Sequence, residues 1–160
     1  MQRLAILLCL SAAPHVFAAK VELNLGHLSP SLRNLKRADQ TTIERAVTLI
    51  KKGQHTAAFA QLTEISRAHP NNSAVRVVLA YALLQAGNLA GAFDQAQQAE
   101  AASDHTSYAC LFLARIAYLI GDTAVCRREL DHVIGSGEHV AEAKRIERDL
   151  ARAPAAAPKR

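Results

Sequence analysis

From Asp39 onward, apolar residues recur at helical spacing in pairs of segments, and a glycine separates the members of each pair. The first segment of each pair carries an alanine at its eighth position, at Ala46, Ala80 and Ala114, followed three residues on by Leu49, Leu83 and Ala117. The second segments hold one apolar stripe each: Ala58, Leu62 and Ile65, then Ala92, Ala96 and Ala99, then Cys126, Leu130 and Val133. Spacings of three and four residues put each set on one face of a helix. Between the segments stand Gly53, Gly87 and Gly121, 34 residues apart both times, and Ala58, Ala92 and Cys126 follow them five residues later. Gln54, Asn88 and Asp122 come directly after the glycines as candidate caps for the second helices. A fixed 34-residue period of two helices is the mark of a stacked helical repeat, in units 39–72, 73–106 and 107–137. Small residues where the helices cross let their backbones approach closely, so Ala58, Ala80, Ala92 and Ala114 are structural positions.

The flanks do not follow the period. Met1-Gln-Arg3 is a short basic start, Leu4 to Ala13 is apolar, Pro14 breaks the run, and Val16-Phe17-Ala18 places small residues where signal peptidase needs them. Residues 1–18 therefore read as a secretory signal peptide cleaved after Ala18. A membrane-spanning helix needs about 20 apolar residues, more than this run supplies. The implied destination is an envelope compartment, the bacterial periplasm. Residues 19–38 form an N-terminal arm or lid, extended at Val21, Leu23 and Asn24, with Ser29-Pro30 opening a short helix over Ser31 to Lys36. A terminal segment of this kind is expected to be loosely ordered. A last helix over 138–152, with Val140, Ala141, Ala143, Ile146 and Leu150 on one face, would cap the final unit. Residues 153–160 should be a disordered tail.

Half of the residues are apolar but only 4% are aromatic, so the core must be built from Ala, Leu, Val and Ile. The formal charge of +5 comes from 19 basic and 14 acidic residues spread among one another, with no basic stripe interleaved with aromatics, which argues against a nucleic-acid partner.

The small, large, glycine, small pattern over 34 residues, ending in Pro70-Asn71-Asn72, resembles the tetratricopeptide repeat family from about Asp39 to Val140. The resemblance implies an all-α, right-handed α-solenoid of about three helix pairs plus a C-terminal capping helix. The family's large aromatic at position four is replaced by Thr42, Arg76 and Cys110, and its closing proline in the second unit by Asp104. The resemblance also implies a concave face lined by the first helix of each unit. Carried over by position, that face includes Ile43, Val47, Ile50 and Lys51, then Val77, Tyr81, Leu84 and Gln85, then Tyr108, Leu111, Arg115, Tyr118 and Leu119. All three tyrosines of the chain fall among them, and Tyr is a residue favoured at binding hot spots. The binding groove is accordingly placed at Val77, Tyr81, Leu84, Tyr108, Leu111, Arg115 and Tyr118, with a peptide or an amphipathic helix of another envelope protein as partner. The alternative is that individual side chains pack between repeats or beneath the arm. The family's carboxylate clamp would fall on Ile43, Val47, Val78, Tyr108 and Phe112, which cannot perform it.

No catalytic constellation accompanies this scaffold. There is no glycine-rich phosphate loop and no Gly-x-Ser-x-Gly elbow, and no cofactor is implied. His27, His55, His69, His105, His132 and His139 fall mostly at turns and form no ligand spacing, so no metal site is expected. Glu129 and Asp131, beside Arg127 and Arg128, read as a solvated face. Cys110 and Cys126 are a candidate disulfide in an oxidising compartment, although the register of a helix pair turning at Gly121 leaves them about one turn out of step. The function this supports is a non-catalytic adaptor or scaffold. A periplasmic chaperone for exported clients and a self-assembling homo-oligomeric subunit are the competing readings.

Overall fold

The computed structural model describes residues 21–152; the expected signal peptide and C-terminal tail lie outside the described residues. A 3-10 turn over Leu25–Leu28 leads into eight helices: α1 (Ser29–Leu32), α2 (Arg37–Lys51), α3 (His55–Ala68), α4 (Ser73–Gln85), α5 (Leu89–Glu100), α6 (Ser107–Ile120), α7 (Thr123–Ser136) and α8 (Val140–Arg152). There is no strand among the described residues. Each helix from α2 to α8 packs on its sequence neighbours, and α4 also touches α2 and α6, forming an inner row. This is an all-α helical-repeat solenoid.

The glycines make the hairpins. Gly53, Gly87 and Gly121 adopt φ of +76°, +81° and +80°. At Gly53 and Gly121 a β-carbon would meet nothing within 4 Å, so the requirement there is the left-handed backbone and not space. Each turn is closed by the same long bond, from Gln54 N–H to Leu49 O, Asn88 N–H to Leu83 O and Asp122 N–H to Ala117 O, each 2.9 Å. These bonds satisfy carbonyls that the end of a helix would otherwise leave unpaired. Of the three expected caps, Asn88 and Asp122 accept from Gly91 N–H and Val125 N–H. Gln54 makes no side-chain cap.

All nine stripe residues of the second helices are buried, and Ala46, Ala80 and Ala114 have no exposed surface. The alanines set the distance between helices, and the larger Leu62, Leu84, Phe112, Leu113 and Leu130 fill the space around them.

Three expectations about the flanks change. Residues 21–35 are packed onto the stack: Val21, Leu23, Leu28 and Leu35 are buried, and Leu28 is fully so. The short helix begins at Ser29 itself, with Leu28 at the capping position, and ends at Leu32 instead of reaching Lys36. In α8 the buried stripe is rotated, because Ala143 is buried and Val140, Ile146 and Leu150 are half-buried while Ala141 is exposed. Glu142 takes the inward position and meets Arg115.

A polar hub fixes the arm to the junction of the repeats. Asn72 caps α4 through Val75 N–H and donates to Ser31 O at 2.9 Å and to the Asp104 carboxylate at 3.1 Å. Asp104 also accepts from Ser73 N–H at 2.9 Å, and its own carbonyl accepts from the Ser31 hydroxyl. The aspartate standing where the repeat would place a proline thus serves as the acceptor at the start of α4.

Candidate functional site

The inner row brings Tyr81 of α4 and Tyr108 and Arg115 of α6 together under the N-terminal arm. Asn24 N–H donates to the Tyr108 hydroxyl at 3.0 Å, and that hydroxyl donates to Glu22 O at 3.3 Å. Arg115 Nη1 reaches the same Glu22 carbonyl at 3.4 Å. Its guanidinium lies 5.7 Å from the centre of the Tyr108 ring, a favourable cation–π placement, and its other arm pairs with Glu142. Burial, followed by the nearby Glu22 carboxylate and Tyr108, pushes the Tyr81 phenol above its ordinary value. The arm is extended at Asn24, with φ −111° and ψ 103°. It is therefore held by its main-chain atoms, by the side chains of the inner face.

A second contact closes the same corner. The His27 ring stands edge-on to His139 at 4.4 Å, and both rings lie near Tyr108, at 5.1 and 5.5 Å. His139 has φ of +54°, a conformation uncommon outside glycine, and it turns the chain from α7 into α8. Ser107 pairs with Glu138 at this turn. The cap helix and the arm both meet α6.

The seven expected groove residues divide into three groups. Val77, Leu84 and Leu111 have no exposed surface and belong to the core between helices, so they offer nothing to a partner. Tyr81 and Tyr108 are 6% and 2% exposed, because the arm lies over them. Arg115 and Tyr118 are half-buried. Ile43, Val47 and Ile50 of the first unit are also buried. The family pattern gives position along the helix but not the contribution of the arm, and that difference accounts for the change.

Cys110 and Cys126 are free, buried thiols, so the candidate disulfide is not formed. Cys110 and His132 are equidistant from Gly121 and face one another across the hairpin, which leaves Cys126 opposite a point further along α6. Burial is the main cause that pushes the Cys110 thiol up to about 12 and the Cys126 thiol up to about 11. Glu129 departs from expectation too. It is 2% exposed, since it lies three residues after Cys126 on the stripe, and Arg128 holds its carboxylate through Nε at 2.8 Å and Nη2 at 2.6 Å.

Several histidines have partners that a turn position did not suggest. His69 meets the Asp39 carboxylate at 3.0 Å, tying the end of α3 to the first turn of α2. His105 and His132 approach each other beside Cys110. On another face of α4, a shallow depression is lined by Phe59, Leu79, Leu83 and Arg76 among others, and Phe59 is one of two large apolar side chains that remain exposed among the described residues. No helix among the described residues is long and apolar enough to cross a membrane.

Residues 49–102, from the last turn of α2 to the end of α5, match a family model for the tetratricopeptide repeat. Over this segment, about a third of its length, the chain is similar to the tetratricopeptide repeat. The match covers Gly53 and Gly87, two of the glycines that set the 34-residue period, and the hub residue Asn72. No curated protein and no solved structure matches the chain. Tetratricopeptide repeats generally mediate protein–protein interaction and are typically non-catalytic, which suggests protein partners.

Proposed function

We propose that the chain is a non-catalytic adaptor or scaffold of the cell envelope that binds an extended segment of a partner protein on the inner face of α4 and α6. The observation that carries this reading is the seating of Glu22–Asn24 on Tyr108 and Arg115 through main-chain atoms. Side chains that hold a backbone select for an extended peptide and tolerate many sequences, as in other modes of strand-like peptide recognition. The arm is the internal occupant of this site, and a partner segment replaces residues 21–24 while the hub at Ser31 keeps the arm attached. Half-buried Tyr118 extends the site beyond the arm. The envelope location rests on the basic start and apolar run of residues 1–18.

The test is affinity capture from envelope extracts, followed by mass spectrometry, with the wild type and with Tyr81→Ala, Tyr108→Ala and Tyr118→Ala. The expected result is one stoichiometric partner whose recovery falls in the variants while their helical content is retained. If all three variants fold and recover the full partner set, the inner face is not the site. Capture of many unfolded chains would instead indicate a chaperone, and recovery of the protein's own copies a self-assembling subunit.

A further inference from the structure

The α6–α7 hairpin gathers His105, Cys110 and His132 at one end, with their ligand atoms all within 4.8 Å of one another. The three come from the turn before α6, the first turns of α6 and the far end of α7, so only the fold unites them. We propose that His105, Cys110 and His132 form a zinc site, with the Cys110 thiolate and the two imidazoles as ligands and solvent in the fourth position.

One thiolate and two imidazoles suit zinc, a borderline-soft ion that accepts both donor types in tetrahedral geometry. Bond lengths of roughly 2.0–2.3 Å put tetrahedral donors about 3.3–3.8 Å apart. A spread of at most 4.8 Å therefore needs a contraction that side-chain torsions can supply. Both histidines are exposed, whereas Cys110 is buried. That combination leaves one side open for solvent and for entry of the ion.

The surroundings are of the kind that metal ligands require. His105 Nδ1 donates to Ala102 O at 2.8 Å in the tautomer that leaves Nε2 as the free ligand atom. Metal-bound histidines commonly use such a second bond to fix their orientation. The buried Glu129 carboxylate acts, after burial itself, in the direction that raises the Cys110 thiol. On binding, the Cys110 S–H bond breaks as the zinc–sulfur bond forms, and the proton passes to solvent. The thiolate then offsets one of the ion's two positive charges, and the Glu129 carboxylate, itself paired with Arg128, adds negative charge nearby. Sulfur at Cys110 stays reduced throughout.

Zinc and cobalt titration of tag-free protein beginning at Ala19, which retains every described residue, tests the site. The expected result is one metal per chain and, with cobalt, a thiolate-to-metal charge-transfer band. His105→Ala and His132→Ala should each weaken binding by roughly tenfold or more, and Cys110→Ser should abolish the band. Cys126→Ala, at a thiol outside this cluster, should leave binding and band unchanged. His132→Ala alters an exposed side chain, so its folding can be checked by circular dichroism and its result stands even if the Cys110 variant misfolds. Absence of stoichiometric metal, or a band that survives Cys110→Ser or depends on Cys126, overturns the proposal.

Discussion

The stack and the arm are both buried against α4 and α6, yet different chemistry holds them. Helix meets helix through alanines without exposed surface and through large apolar side chains such as Phe112 and Leu113. Arm meets helix at Glu22–Asn24 through three hydrogen bonds to side chains, with Val21 and Leu23 buried beside them, and Leu28, Leu35 and the Ser31 hub tie its downstream part to the core. Apolar packing is lost all at once when a helix pair opens, because every side chain depends on its neighbours. Hydrogen bonds to a surface-running backbone exchange with water or with another peptide at modest net cost, about 0.5–1.5 kcal/mol each. A region built the first way is scaffold. One built the second way is suited to be displaced.

The largest expected effect lies in the stack. Phe112→Ala should destabilise by about 3–5 kcal/mol, read from the midpoint of urea unfolding. A loss below about 1 kcal/mol would mean that α6 is not the centre of the core. Ala80→Leu forces a larger side chain into a contact with no free surface, and its expected cost is about 1–3 kcal/mol by the same measurement. If the variant is as stable as the wild type, the close approach of α4 to its neighbours is not limiting.

Arg115→Ala should act on the arm and spare the stack. It removes the contact to Glu22 O and the pair with Glu142, which is partly exposed, so global stability should change by no more than about 1 kcal/mol. Amide exchange at residues 22–28 should accelerate while exchange in α4 and α5 stays constant. Equal acceleration in both regions would erase the distinction between them.

The smallest effect is one of pH. Burial is the main cause holding His139 below the ordinary histidine value, His27 and Arg115 act in the same direction, and Glu138 and Glu142 oppose them. A histidine depressed in the fold stabilises above its unfolded value, and that contribution is lost as pH falls through about 6.5 and below. Lowering the pH from about 7.5 to about 5.5 should therefore loosen the His27–His139 corner first. Amide resonances of residues 24–28 and 139–142 should shift before those of α3 and α4. Simultaneous loss in all four would contradict a locally held arm.

How much of this was legible in the chain follows from what a repeat encodes. Gly53, Gly87 and Gly121 each need a left-handed turn, and the alanine stripes each need a close crossing, so the period and the helix pairs are written at many positions. The arm is written once. Val21, Leu23 and Leu28 look like a loose terminus until α4 and α6 supply the surface they cover. Glu129 reads as solvated from the charges beside it, although its spacing from Cys126 and Val133 places it on the buried stripe. His105, Cys110 and His132 were invisible as a group because the hairpin, not the local sequence, joins them. The inner-face positions could be assigned from the repeat, but their exposure could not, since burial depends on a segment outside the repeat.

The most direct test of the central claim, that the arm occupies a peptide-binding face, is the binding of a labelled peptide of residues 19–28 to the chain beginning at Ser29. The account predicts saturable binding to the truncated chain, weakened by Arg115→Ala, and little binding to the chain that keeps its own arm. A truncated chain that folds but does not bind the peptide, or that cannot fold without the arm, would make residues 21–28 part of the core and contradict the account.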